Sequence, residues 1–288
     1  MKHSAVLLIN CPDRKGLVAR VSTLLYEHGA NILHADQHQD HDLGLFFMRV
    51  EFASNLGDGE ASFDLERFRL AFASLAASLD MQWQLISNQA RPRVALFCSQ
   101  YLHCMADLLY RWHTGELACE IPIIISNHTN VKPLAGFYGI PFAHIPVNSE
   151  TREEAERQQL QLLSQHRIDL IVLARYMQIL SPGFVAHYPA SVINVHHSFL
   201  PAFTGARPYH AAHARGVKLI GATSHYVTEV LDDGPIIEQD VARISHRDQV
   251  EDLVARGRDL ERVVLARAVR WHLDRRILCY GNKTVVFD

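Results

Sequence analysis

The sequence predicts an α/β protein with two domains, a small one followed by a larger one built on a doubly wound, mostly parallel sheet. The chain has 288 residues, which exceeds the roughly 100 to 200 residues of a typical domain. Segments of strand periodicity alternate with segments of helical periodicity along it. The polar segment 87–93 contains a proline and follows neither pattern, so we expect it to link domains at 1–86 and 94–288.

The first domain is predicted to follow the ferredoxin-like order βαββαβ. Leu17, Val21 and Leu25 recur at helical spacing, and Gly29 is a typical helix stop. The same alternation of periods continues to the end of the domain. The predicted strands cover 4–10, 31–39, 43–52 and 81–86, and the predicted helices cover 17–28 and 62–79.

The second domain contains short β-rich runs separated by segments that can hold helices. The runs lie at 94–98, 121–126, 170–173 and 192–195, and two of the intervening helices are predicted at 105–113 and 153–166. Strands that alternate with helices predict βαβ crossovers and a mostly parallel sheet. Ligands of such sheets bind beyond the carboxyl ends of the strands, which directs attention to the residues just after 172 and 193.

Composition and charge narrow the classes of function. The chain is 48% apolar, and its 28 basic and 31 acidic residues give a net charge of -3, which argues against disorder and against a general nucleic-acid partner. No apolar run approaches the ~20 residues of a membrane span, and the N-terminal run is too short for a signal peptide. We therefore expect a cytoplasmic protein, with its five cysteines as reduced, mostly buried thiols because no CxxC pair occurs.

The most informative residues are Asn194 and His196 at the end of a predicted strand. Their spacing places both side chains on one side of the strand. An amide that donates to an oxyanion beside an imidazole that moves a proton suits chemistry at a carbonyl carbon. Asp232 is a candidate to orient the imidazole. Spacing alone leaves open that these residues only cap or turn the chain.

The larger domain resembles the folate-dependent formyltransferase family from about residue 93 to the end of the chain. The resemblance rests on the motifs Asn194-x-His196-x-Ser198-x-Leu200-Pro201, His225-x-Val227-Thr228 and Leu231-Asp232-x-Gly234-Pro235. It implies a Rossmann-type fold and a formyl group taken from 10-formyltetrahydrofolate, with no prosthetic group and no metal. It also implies catalytic roles for Asn194, His196 and Asp232, and substrate binding by Met177, Gln178, Ile179, Leu180, His225, Thr228 and Leu231.

The smaller domain resembles an ACT domain through Asp13-Arg14-Lys15-Gly16-Leu17-Val18 and Gly29-Ala30-Asn31-Ile32. This resemblance implies an amino-acid effector such as glycine or methionine, bound near Asp13, Gly16, Leu17 and Asn31. It also implies a homo-oligomer, either a dimer or a tetramer. The alternative is a unit that mediates only oligomerisation.

The formyl acceptor is predicted from the stretch 99–104 that follows the first strand of the larger domain. Family members with a phosphorylated amine acceptor have a glycine-rich phosphate loop there, whereas this stretch contains no glycine. Backbone amides hold phosphate best where no Cβ intervenes. We therefore predict a hydrolase of an amide-type C–N bond, which releases formate for purine synthesis and tetrahydrofolate for the folate pools. Transfer to an amine acceptor is the alternative.

Three other interpretations compete with this prediction. A zinc hydrolase would use some of the 18 histidines, for example His196, His197, His210 and His213, but metal-site spacings such as HExxH are missing. His103 and Cys104 suggest a thiol nucleophile, although a lone cysteine at a strand-to-helix junction is more typical of packing. A non-enzymatic sensor that binds both an amino acid and folate would release no formate.

Overall fold

A computed structural model describes residues 4–53, 63–201 and 208–288. Contacts divide the chain into two compact units. The small unit contains the residues up to Arg91, Arg275–Leu278 and Val285–Asp288, and the large unit contains Pro92–Asp274 and Cys279–Thr284. The sequence-based boundaries place all residues after 93 in the larger domain. The contacts differ at the C-terminus, where the Arg49 side chain in the small unit donates a 3.0 Å hydrogen bond to the Arg275 carbonyl.

The small unit has the predicted order βαββαβ and a four-stranded antiparallel sheet in the order β2-β3-β1-β4. Its core contains Leu7, Ile9 and Phe52 from the sheet and Phe68 and Phe72 from the second helix. That helix begins at Leu65 because the Asp64 side chain caps it, and the predicted start at Ser62 lies outside the described residues. The elements are β1 Ser4–Pro12, α1 Leu17–Glu27, β2 Asn31–Asp40, β3 Leu45–Ala53, α2 Leu65–Ser78 and β4 Gln82–Ser87.

The large unit contains a seven-stranded sheet in the order β11-β10-β9-β8-β5-β6-β7. Its strands are β5 Arg93–Cys98, β6 Glu120–Ser126, β7 Phe142–His144, β8 Leu170–Leu173, β9 Val192–His196, β10 Leu219–Tyr226 and β11 Ile236–Arg243. Its helices are α3 His103–His113, α4 Lys132–Phe137, α5 Arg152–Gln165, α6 Pro182–Ala186, α7 Pro208–Arg215 and α8 Val250–Leu273. Strands β12 Ile277–Tyr280 and β13 Lys283–Val286 form a separate two-stranded sheet.

Strands β5 to β9 pair in parallel, and β10 and β11 add antiparallel pairs at one edge. The predicted fold class, with a ferredoxin-like first domain and a mostly parallel second sheet, is confirmed. β8 and β5 lie side by side although two strands and three helices separate them in sequence, so the chain reverses direction across the sheet at this point. Such a reversal opens a crevice at the carboxyl ends of the strands.

Two further expectations concern membrane-spanning helices and the state of the cysteines. No helix within the described ranges is both long enough and apolar enough to cross a membrane. All five cysteines are free thiols, and every one except Cys279 is buried.

Candidate active site

A cavity of about 550 Å³ opens at the carboxyl ends of β8 and β9. Its walls come from three segments of the large unit, within 173–180, 194–197 and 225–232. Every catalytic and substrate-binding residue predicted from the sequence lines this one cavity. The position agrees with the rule that open α/β sheets bind ligands where their parallel strands end.

Strand register brings Asn194, His196 and His225 to the same region. Asn194 and His196 are two positions apart on β9, so their side chains share a face. β10 runs antiparallel to β9 and places His225 directly opposite Asn194. His196 and His225 are buried, and Asn194 is half-buried. The sequence motifs therefore meet because two neighbouring strands are paired in this register.

Asp232 reaches these side chains from the turn between β10 and β11. Its Oδ2 lies 3.1 Å from Nδ1 of His196, and its Oδ1 lies 3.6 Å from Nε2 of His225. The Asp232 backbone has a φ of 55°, in the left-handed region. Gly234 allows the turn to close, because a Cβ at this position would lie 1.7 Å from the Tyr226 carbonyl oxygen. The Leu231-Asp232-x-Gly234-Pro235 motif is thus a tight turn that aims a carboxylate at His196.

The contact with Asp232 fixes which nitrogen of His196 is available for chemistry. Burial alone would raise the pKa of the Asp232 carboxyl, but its hydrogen bond with His196 holds the pKa well below its usual range. The carboxylate is therefore ionised and accepts the Nδ1 proton of His196. Nε2 of His196 is buried and has no hydrogen-bond partner among the described residues. It remains as a proton acceptor in the wall of the cavity.

His225 orients the Asn194 amide. Its Nδ1 lies 2.9 Å from the Tyr226 carbonyl oxygen, which can only accept, so Nδ1 carries the proton. In the neutral ring Nε2 then accepts from the Asn194 amide nitrogen at 3.3 Å. An amide NH₂ has two N–H donors, so this contact leaves the second one for a ligand.

The segment 176–180 forms the apolar part of the cavity wall. Met177 and Ile179 are 47% and 57% exposed, and Leu231 across the cavity is 60% exposed. Gln178 is half-buried and Leu180 is buried. Large apolar side chains left in water around one cavity are typical of a ligand-binding surface. Thr228 lies in the segment on the opposite side of the cavity. Its hydroxyl donates a 3.2 Å hydrogen bond to the Val230 carbonyl, which holds this segment in its turn.

Several residues of the site were not predicted. Ser99 fixes the apolar wall, because its N–H donates to the Arg175 carbonyl at 3.1 Å and its Oγ accepts from the Met177 N–H at 2.9 Å. Arg175 and His197 also line the cavity. Ser99 belongs to no recognisable sequence motif. Arg175, in contrast, is the one basic residue in the mostly apolar run 173–180, and this pattern indicates a functional side chain.

The histidines and cysteines of the alternative interpretations lie elsewhere. His210 and His213 are exposed on α7 and do not line the cavity. Cys104 is 1% exposed, and burial raises its thiol pKa well above the ordinary value, so it is a protonated, packed side chain rather than a nucleophile.

One cluster among the described residues has metal-ligand composition, with atoms of His103, Cys104 and Glu261 within 4.8 Å of one another. His103 Nε2 and Glu261 Oε2 are in direct hydrogen-bond contact at 2.7 Å. The Arg175 guanidinium lies 3.4 Å from the same carboxylate. A guanidinium already supplies the cation for Glu261, so the arrangement is that of an ion-pair network rather than a metal site.

The four effector candidates divide into two places in the small unit. Asp13 and Gly16 lie in the turn before α1, where Gly16 has a φ of 86°, and Leu17 is the buried first residue of that helix. Asn31 begins β2 and pairs with Ala53, at the opposite end of the sheet from the turn. The structure thus brings three of the four residues together and places Asn31 apart from them.

Two family models match this chain, and they agree with the two units. The formyl transferase model matches residues 92–269, and the ACT domain model matches residues 5–60. The fold and the site therefore define a formyl transferase-type domain preceded by an ACT domain, as the sequence motifs predict.

Full-length relatives narrow the class. The chain is 54% identical to a formyltetrahydrofolate deformylase of Synechocystis sp., over 99% of this chain and 98% of that protein. It is 51% identical to the formyltetrahydrofolate deformylase of Bacillus subtilis, over 98% and 93%. A crystal structure of a formyltetrahydrofolate deformylase from Pseudomonas syringae pv. tomato superposes with a TM-score of 0.95 at 49% identity, covering 100% of this chain and 95% of that one. The chain belongs to the formyltetrahydrofolate deformylase family.

Proposed function

We propose that this protein hydrolyses 10-formyltetrahydrofolate to formate and tetrahydrofolate through Asn194, His196 and Asp232. Full-length similarity to deformylases confirms the predicted hydrolysis over the alternative of transfer to an amine. The residue assignment rests on Nε2 of His196, which has no hydrogen-bond partner in the part of the chain that the structure describes. The Asn194 amide, held by His225, lies on the same face of the strand, and the Asp232 carboxylate contacts the other ring nitrogen of His196.

Each of the three residues has a distinct role in the reaction. Asn194 donates its second N–H to the formyl oxygen as negative charge develops, and one such donor contributes ~2.7 to 4 kcal/mol in an acyl-transfer enzyme. His196 Nε2 takes a proton from the attacking water and returns it to N10 as the C–N bond breaks. Asp232 holds the Nδ1 proton of His196, stabilises the imidazolium that forms and helps to hold the water.

The folate ring system binds against the apolar wall. Met177, Ile179 and Leu231 present exposed apolar surface to the cavity, and a flat aromatic ligand would remove that surface from water. Ser99 and Gln159 stabilise this wall from behind, through the Met177 N–H and the Tyr176 hydroxyl. Their bonds keep the segment in place before the substrate arrives.

A single assay tests the proposal. Purified protein is incubated with 10-formyltetrahydrofolate, with and without small amines and with and without a chelator, and formate is measured. We expect formate in every arm at the same rate, because water is the acceptor and these residues need no metal. A rate that requires an amine would contradict hydrolysis, and a rate lost on chelation would contradict the metal-free mechanism.

We also assign a regulatory and oligomer-forming role to the ACT domain. The turn at Asp13 to Leu17 is the part of it to which we assign contact with a small amino acid such as glycine or methionine, and among the described residues its sheet ends at β2 on one side and β4 on the other. Unpaired strand edges favour association with a second copy. Light scattering across a range of protein concentrations measures the oligomeric state.

A further inference from the structure

Arg175 is a buried cation in the wall of the cavity, and the proposed mechanism gives it no role. It is 8% exposed, lines the cavity and has a φ of 63°, which is a strained conformation for a residue with a side chain. Leu173 pairs with Asn194 in the parallel β8/β9 ladder. Arg175 lies two residues beyond Leu173, just as His196 lies two residues beyond Asn194. The guanidinium is therefore carried by the strand end next to the reacting residues.

A network behind the cavity holds Arg175 in place without using all of its donors. Nε of Arg175 lies 3.4 Å from Oε2 of Glu261, whose two oxygens accept hydrogen bonds from Tyr209 and His103, each at 2.7 Å. The Tyr101 ring lies 5.5 Å from the guanidinium carbon. Nε is buried and makes no hydrogen bond with the described residues, and the Glu261 carboxylate is its ion-pair partner. The terminal NH₂ groups of the guanidinium remain as the donors for a ligand in the cavity that Arg175 lines.

We propose that Arg175 binds the formate product as its carboxylate forms beside His196. This inference rests on the hydrolysis proposed above. Water oxygen bonds to the formyl carbon, the C–N10 bond breaks, and its electron pair stays on N10, which takes a proton. The formic acid released loses its remaining acidic proton and becomes an anion. A guanidinium pairs with carboxylate oxygens through charge-assisted hydrogen bonds.

The geometry favours formate over the other carboxylate in the reaction, which is the glutamate end of folate. Formate is generated where Asn194 and His196 act, and Arg175 lines the same cavity two residues beyond the end of the neighbouring strand. The glutamate end is separated from the formyl nitrogen by the length of an aminobenzoyl group. Arg175 is also buried, whereas a flexible, charged tail is expected to extend toward water.

The proposal is tested by measuring how strongly formate inhibits the variant Arg175→Gln, with Arg258→Gln as a matched control. Arg258 also stacks on the Tyr101 ring, at 5.8 Å, but it is exposed and does not line the cavity. A charge-assisted hydrogen bond corresponds to about a tenfold change in affinity or more, so we expect the inhibition constant of formate to rise by about that factor in Arg175→Gln alone. The KM for 10-formyltetrahydrofolate should change much less.

Direct measurement of formate binding tests the Arg175 site independently of catalytic turnover. Binding of ¹³C-formate to the wild type, Arg175→Gln and Arg175→Gly is followed by NMR saturation transfer, and thermal melts verify folding; glycine suits the left-handed backbone at this position. Formate that binds equally well to all three proteins overturns the proposal, as does a raised KM with unchanged formate inhibition. If the wild type binds formate through Arg175 but releases none from 10-formyltetrahydrofolate, the proposed hydrolysis is refuted and the formate site is not.

Discussion

His196 lines the cavity, with one ring nitrogen bound to Asp232 and the other without a hydrogen-bond partner among the described residues. Replacing His196 with alanine removes the proton acceptor, and replacing Asp232 with asparagine removes the charge that stabilises the imidazolium. A positioned general base contributes about 10² to 10⁴-fold, so we expect kcat to fall by that order in either variant. Binding of folate, measured by fluorescence quenching, should persist because the apolar wall is unchanged.

The exposed His213 provides the control for that experiment. His213→Ala removes an imidazole from α7, away from the residues that line the cavity, and should keep the wild-type rate. Near wild-type turnover by His196→Ala or Asp232→Asn would remove the roles assigned to them.

The lowered pKa of Asp232 predicts a pH dependence of stability with a definite sign. Its pKa is lower in the folded than in the unfolded chain, where the value is about 3.9, so the folded protein gains stability from this carboxylate above that pH. The gain is lost as the pH falls below about 4 toward the folded-state pKa. The difference in unfolding free energy between wild type and Asp232→Asn should therefore shrink on acidification from pH 6, as measured by urea titration. A difference that grows would contradict the hydrogen bond assigned between His196 and the ionised Asp232.

At the scale of elements, the β10–β11 turn determines where the Asp232 carboxylate lies. An alanine at Gly234 would place its Cβ 1.7 Å from the Tyr226 carbonyl oxygen, so the turn must move. A displacement of about 1 Å at a reacting group can cost 10²-fold in rate, and we expect a loss of kcat of that order in Gly234→Ala. Gly136→Ala is the control, because a Cβ there meets no atom within 4 Å and the backbone is helical. Equal rates in the two variants would contradict the role of the turn.

Helix α8 contributes a buried carboxylate to the large unit. Glu261 is 1% exposed and binds His103, Arg175 and Tyr209. Removing one partner of a buried ion pair destabilises a protein by about 3 to 5 kcal/mol, so Glu261→Ala should lower the free energy of unfolding by about that amount. The exposed Glu251 on the same helix gives the control variant Glu251→Ala, for which we expect a change within about 0.5 kcal/mol. Chemical denaturation measures both.

The elements that the sequence predicts well are those with a strong local pattern. Strand β8 has the predicted bounds Leu170–Leu173, and α1 differs by one residue at its end, because continuous apolar runs and regular helical spacing are local properties. The catalytic candidates are also predictable, because Asn194, His196 and Asp232 stand in recognisable motifs. The network of Arg175 with Glu261 is not, because 86 residues separate them and only the packing of α8 near the end of β8 brings them together.

At the scale of the whole molecule, the two units carry different chemistry. The large unit holds the cavity and the buried Glu261 network, and the small unit holds the turn at Asp13 to Leu17. The formyl transferase and ACT models match the two units separately. The regulation proposed for the small unit and the catalysis proposed for the large unit therefore involve different parts of one chain.

The two parts of the proposed effector site lie far apart in the small unit. The turn at Asp13 and the start of β2 at Asn31 lie at opposite ends of the sheet, because Pro12 pairs with Leu45 whereas Asn31 pairs with Ala53. The two pairs lie eight residue steps apart along β3, roughly 26 Å at about 3.3 Å per residue. An effector site that uses both Asp13 and Asn31 therefore requires a second copy of the chain.

We expect glycine or methionine to change the rate of formate release, and this response to disappear when the protein is diluted until light scattering reports a monomer. Asp13→Ala and Asn31→Ala should each abolish the response while the basal rate stays, because neither residue belongs to the unit that holds the cavity. The exposed Asp42→Ala is the control. A response that survives dilution would mean that one chain suffices, and a panel of amino acids without any effect would leave the small unit with oligomerisation alone.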